Sequence, residues 1–182
     1  MKKLIVLLFS LFFLSSVSYG GEINSLFGID LYDNAEKHVS SNYINSNKYK
    51  NTETIEGYFD LNMTDKIKTK SPYAIYYRIT MDKDNIVHMI YGGDNVVNLD
   101  ICLEIQKDLL SGFEEKYQIE FDVFNKSYAK WKKYSSIHWT NSGSVLSVQC
   151  RKDYEKSSAL RQIYLKSELL SQANRDFYDS GL

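Results

Sequence analysis

Tyr73-Ala-Ile-Tyr-Tyr-Arg-Ile-Thr-Met81, followed by Asp82-Lys-Asp-Asn85 and Val87-His-Met-Ile-Tyr91, is the stretch on which the fold turns. Two runs rich in Tyr, Ile and Val flank four residues of turn chemistry, which predicts a β-hairpin. Gly92-Gly93-Asp94 reads as the close of its second strand. Upstream, Tyr58, Asp60 and Asn62 alternate with Phe59, Leu61 and Met63, the period of two of a half-buried strand. Downstream, Ile137 to Thr140 and Val145 to Gln149 predict a second hairpin across Asn141-Ser142-Gly143, with Cys150 at its end. Tyr117 to Phe124 predicts a strand with Tyr117, Ile119, Phe121 and Val123 on one face, and Gln162 to Leu165 a last short one.

Helical signals interrupt these strands three times. Asp33-Asn34-Ala35-Glu36 has the spacing of an N-cap with Glu three residues on, and predicts a helix ending near Ser41 or Tyr43. Ser46 to Glu56 is polar and aperiodic, a loop. The clearest helix starts at Asn98 or Asp100 and buries Leu99, Cys102, Ile105 or Gln106, Leu109 and Phe113. A C-terminal helix turns Leu165, Leu169, Leu170, Ala173 and Phe177 to one side, with Gly181 suited to its end. Hairpins joining neighbouring strands, with helices between the groups, predict an α+β fold: a single domain, an antiparallel sheet with helices packed on one face.

The first residues read differently from the rest. Lys2 and Lys3 precede the apolar run Leu4 to Leu14, and small or polar residues follow to Gly21, the layout of a secretory signal. Ser18 and Gly20 place the cut after Gly20, giving a signal peptide over residues 1–20 and one domain over 21–182. The run is shorter than the ~20 residues that span a bilayer, and no Cys follows it to carry a lipid. Without residues 1–20, 20 basic residues face 23 acidic ones, a net charge of about −3. That balance offers no footprint for nucleic acid or an anionic membrane. The expected location is therefore periplasmic or secreted, and there Cys102 and Cys150, the two cysteines of the chain, are expected to pair.

Signals for chemistry are sparse. His38, His88 and His138 stand in no ligand or catalytic spacing, and alternation puts His88 and His138 on the solvent side of their strands. Asp82-Lys83-Asp84-Asn85 begins like a calcium loop but has Val87 where such a loop needs Gly. No Gly-x-Ser-x-Gly elbow occurs, and Glu114 and Glu115, adjacent on a helix, cannot work across a cleft. No cofactor is implied. The most suggestive surface is the connection Tyr128 to Tyr134, read as irregular. There Tyr128, Trp131, Lys132, Lys133 and Tyr134, with Trp139 nearby, could stack on rings and hold an anionic group.

The opening Leu26-Phe27-Gly28-Ile29 and Leu31-Tyr32-Asp33-Asn34-Ala35-Glu36, the helix start Asn98 to Ile101 with Cys102, and the ending Gly181-Leu182 resemble small exported proteins of marine alphaproteobacteria. The resemblance implies export and a shared fold, and brings no activity or catalytic residue with it. The layout also resembles small envelope modules of the outer-membrane assembly lipoprotein or protease-inhibitor kinds, without their lipid-anchor Cys. The reading this supports is a non-enzymatic envelope module binding a protein or a small ligand. The alternatives are a small hydrolase assembled from dispersed residues, with His138 as base, and a glycan binder using the aromatic and lysine surface.

Overall fold

The computed structural model describes residues 22–50 and 55–179; the expected signal peptide and Gly181 lie outside them. Among the described residues nine strands and three helices follow one another. A two-stranded ribbon, β1 (Ser25–Leu26) and β2 (Ile29–Asp30), precedes a 3-10 turn (Ala35–Lys37) and α1 (Ser41–Asn47). Then come β3 (Tyr58–Asn62), β4 (Tyr76–Asp82), β5 (Val87–Val96), α2 (Leu99–Tyr117), β6 (Asp122–Ser127), β7 (Trp131–Trp139), β8 (Val145–Asp153), β9 (Ala159–Lys166) and α3 (Glu168–Asp179). The large sheet has the order β3-β4-β5-β9-β8-β7-β6, antiparallel throughout. The α+β class and the hairpin-built antiparallel sheet expected from the sequence are what the structure has.

Register decides the two faces of this sheet. Leu61, Ile79, Ile90, Ile163, Leu165, Leu146 and Val148 all point to one side, where they are fully buried. The ribbon, α1 and α2 cover that side, contributing Ile23, Ile29, Ile44 and Cys102. Asn98 caps α2 by accepting from the Ile101 amide at 2.9 Å. Of the two candidates for the inward position, Gln106 is the one seated: its Nε2 donates to Val148 O at 2.9 Å and to Ser136 Oγ at 3.3 Å, so its burial leaves no polar group stranded. Cys102 and Cys150 form the expected disulfide, Cα–Cα 6.0 Å, tying α2 to β8.

Several expectations are corrected. The helix read from Asp33 is broken in two: Asn34 caps the 3-10 turn, and Ser40 restarts the chain as α1 by accepting from Tyr43 N. β5 does not stop at Gly92-Gly93 but continues to Val96, because those glycines are packing sites rather than terminators. A Cβ on Gly92 would stand 2.6 Å from the Phe27 ring, and one on Gly93 2.6 Å from the Tyr76 ring. Helix α2 runs through Tyr117 and ends at Gln118 in the left-handed conformation, φ 54°, so the strand expected from Tyr117 begins only at Asp122. Tyr128 to Tyr134 is no irregular connection: from Trp131 it is the first half of β7. Leu165 belongs to β9 and not to the helix after it, and Cys150 lies inside β8.

Among the described residues no helix is long and apolar enough to cross a membrane.

Candidate functional site

On the second face of the sheet α3 lies at the Trp139 and Lys166 end; among the described residues α1 and α2 lie on the other face. The residues of the second face alternate with the core: Phe124 and Lys126 on β6, Trp131, Lys133, Ser135, Ile137 and Trp139 on β7, Gln149 on β8 and Tyr164 and Lys166 on β9. Between β6 and β9 they form a groove of about 270 Å³. Its walls are the rings of Phe124, Tyr128, Trp139 and Tyr164, and its polar groups are Lys126, Lys133, Ser135 and Gln149. Gln149 Nε2 donates to Tyr164 Oη at 2.7 Å, which fixes both side chains across neighbouring strands. Ser135 is 3% exposed, and among the described residues its Oγ has no hydrogen-bond partner. A buried hydroxyl without a partner costs stability unless something else meets it.

Strand alternation sorts the six residues singled out from the sequence. Tyr128, Lys133 and Trp139 line the groove; Trp131 stacks on Tyr128 with ring centroids 3.8 Å apart and takes the Arg151 guanidinium over its other side at 5.6 Å. Lys132 and Tyr134 point to the opposite face, where Tyr134 packs against the disulfide and Lys132 Nζ lies 5.2 Å from the Tyr134 ring centre. Phe124, Lys126, Ser135, Gln149 and Tyr164 were not singled out. The first two carried a usable signal, an aromatic and a lysine at alternating positions; the others read as ordinary strand residues until the pairing of β7, β8 and β9 is known.

Electrostatics at the rim favour negative charge. Lys166 lies beside Tyr164 and Lys133, and α3 brings Arg175 to 6.0 Å from the Trp139 ring centre. Burial, helped by the Arg175 and Lys133 charges, pulls the Lys166 ammonium down to about 8. The folded protein therefore gives up this proton near pH 8 while the unfolded chain holds it to about 10.5. In that window the unfolded state binds more protons, so stability rises with pH. Lys166→Met is expected to raise the melting temperature at pH 7 by several degrees and to remove the gain between pH 8 and 10. Above about pH 10 Tyr58, Tyr76 and Tyr164, whose hydroxyls burial pushes above their ordinary value, act in the opposite direction. Melting curves of both proteins at pH 7 and 9.5 check this; a variant melting no higher at pH 7 would refute it.

Two histidines bear on catalysis. His88, expected on the solvent side, is 3% exposed. The Tyr32 and Tyr58 rings cover it edge-on, and its Nδ1 lies 3.1 Å from Ser167 Oγ and its Nε2 3.1 Å from Asp82 Oδ2. Burial pushes the Asp82 carboxyl up, but hydrogen bonds from Ile86 N, His88 and Asp84 N outweigh it and hold it below its ordinary value. In the tautomer whose Nε2–H donates to that carboxylate, Nδ1 accepts a hydrogen bond from the Ser167 hydroxyl. This is the residue set of a nucleophilic triad, yet Ser167 is fully buried and its Oγ already accepts from Leu170 N at 3.2 Å. What the trio does is fasten the start of α3 to the β4–β5 hairpin. His138 donates from Nδ1 to Glu120 O at 2.8 Å beside a cleft of about 360 Å³. No hydroxyl among the described residues hydrogen-bonds to it, and no group of three His, Cys, Asp or Glu among them could hold a metal ion. Comparison with protein-family models, curated proteins and solved structures finds no match to the chain.

Proposed function

We propose that this is an exported, non-enzymatic binding module of the cell envelope, and that the groove between β6 and β9 takes an acidic, ring-bearing ligand such as an acidic glycan. Export is supported by the lysine-led apolar run at the start of the chain and by a disulfide, a bond that persists in oxidising compartments. The observation that carries the binding reading is Ser135 Oγ, buried in the floor of the groove and without a partner among the described residues, beneath Trp139, Tyr164 and Lys133. Flat rings offer stacking surface to a sugar, lysines neutralise a carboxylate, and the orphaned hydroxyl takes a hydrogen bond from the ligand.

Trp139 in the wall and Trp131 stacked on Tyr128 provide the readout. Titration with a hexuronate tetrasaccharide is expected to change tryptophan fluorescence saturably. Its methyl-esterified, neutral counterpart is expected to bind at least about tenfold more weakly, as the loss of charge-assisted contacts requires. Trp139→Ala and Ser135→Ala are each expected to weaken the acidic ligand. A flat titration with both sugars would remove the reading.

A further inference from the structure

The two edges of the large sheet are treated differently. At β3 the chain covers its own edge: Tyr49 and Asp60 exchange backbone hydrogen bonds of 2.9 and 2.8 Å. At β6 it does not. All six residues from Asp122 to Ser127 are exposed, Val123 by 67% and Phe124 by 45%, and among the described residues nothing hydrogen-bonds to the outer side of this strand. An open edge carrying apolar residues is a template for another strand.

The charges on β6 say which strand fits. Asp122, Phe124 and Lys126 share the face that carries the groove. Neither Asp122 nor Lys126 forms an ion pair among the described residues, and Lys126 stands directly across from Lys133 of β7, a like-charge pairing that costs stability. Turn a second β6 antiparallel to the first about a two-fold axis at Phe124, and Phe124 meets Phe124. Asp122 of each copy then stands opposite Lys126 of the other, twice. The same operation places Val123 against Asn125 on the other face. The segment Asp122-Val-Phe-Asn-Lys126 is thus self-complementary in charge about its centre.

The geometry points to a homodimer formed by β6–β6 pairing, centred on Phe124 and held in register by two Asp122–Lys126 ion pairs. The pairing requires no ligand in the groove. Six residues a side make a contact below the usual size of a stable interface, so the dimer dissociates in the micromolar range. Sedimentation velocity of the disulfide-bonded protein from 1 to about 200 µM is expected to show a concentration-dependent dimer. Asp122→Lys and Lys126→Asp each set like charges opposite one another twice and are expected to weaken it about tenfold. The double variant, with the charges exchanged, is expected to restore it. All six residues being exposed, none of the variants is expected to melt below wild type, which separates loss of association from loss of fold. A monomer at every concentration, or a double variant no better than the singles, would overturn the proposal.

Discussion

Replacing Cys102 and Cys150 together with alanine is expected to lower the melting temperature by on the order of 10 °C. The bridge closes a loop of 48 residues, and in the chain-entropy treatment a loop of that length contributes about 4 kcal/mol. For a domain of this size each kcal/mol moves the midpoint by roughly 2–4 °C. Both cysteines are fully buried, in a small cluster with Val96 and Ala159 apart from the main core, so local packing does little to compensate. Calorimetry of the oxidised protein, the variant and the reduced wild type checks this. Variant and reduced wild type should melt together, and a variant within about 2 °C of the oxidised protein would show that the bridge constrains little.

The second large effect is expected at Arg161, a charged residue 2% exposed inside the helix-covered side of the sheet. Its Nε donates to Tyr73 O at 3.0 Å and its Nη2 to Asp94 Oδ2 at 3.1 Å, and its guanidinium lies 5.8 Å from the Tyr73 ring centre. One side chain thus holds the segment before β4 onto β5 and β9. Arg161→Met keeps most of the volume but leaves Asp94, 20% exposed, without its partner, and breaking a largely buried pair from one side costs roughly 3 kcal/mol. Arg161→Met with Asp94→Asn is expected to recover most of that loss, since no unpaired charge remains. Urea unfolding of the three proteins decides it; a single variant as stable as wild type would show that the pair contributes nothing net.

What the sequence revealed follows from where the determinants lie. The β4–β5 and β7–β8 hairpins and the core of α2 were legible because turn chemistry and helical spacing are local. Gly92 and Gly93 misled for a physical reason: a glycine at a strand end and a glycine making room for a ring look alike until Phe27, 65 residues earlier in the chain, is seen against it. His88 misled because what covers it, the Tyr32 and Tyr58 rings and Ser167, 79 residues further on, is invisible to simple alternation. The aromatic and lysine set was half legible. Trp131, Lys133 and Trp139 share a face by their spacing, but only β7 being a strand separates them from Lys132 and Tyr134. Ser135, the residue that most favours a ligand, carries no signal, because an orphaned hydroxyl is a property of its neighbours.

The β5–β9 seam also sets the order in which the protein can be made. It joins Asp94 to Arg161, 67 residues apart, and among the described residues it is the one strand pairing in the large sheet between the strands before α2 and those after it. Until it closes, β5 and β9 are both unpaired edges. The Cys102–Cys150 bridge lies within that span, and once formed it shortens the free path between the two strands to about 20 residues, which lowers the closure cost by about 1 kcal/mol, a factor of roughly six. A chain oxidised early closes its seam sooner, and one kept reduced spends longer with its central edges open to other chains.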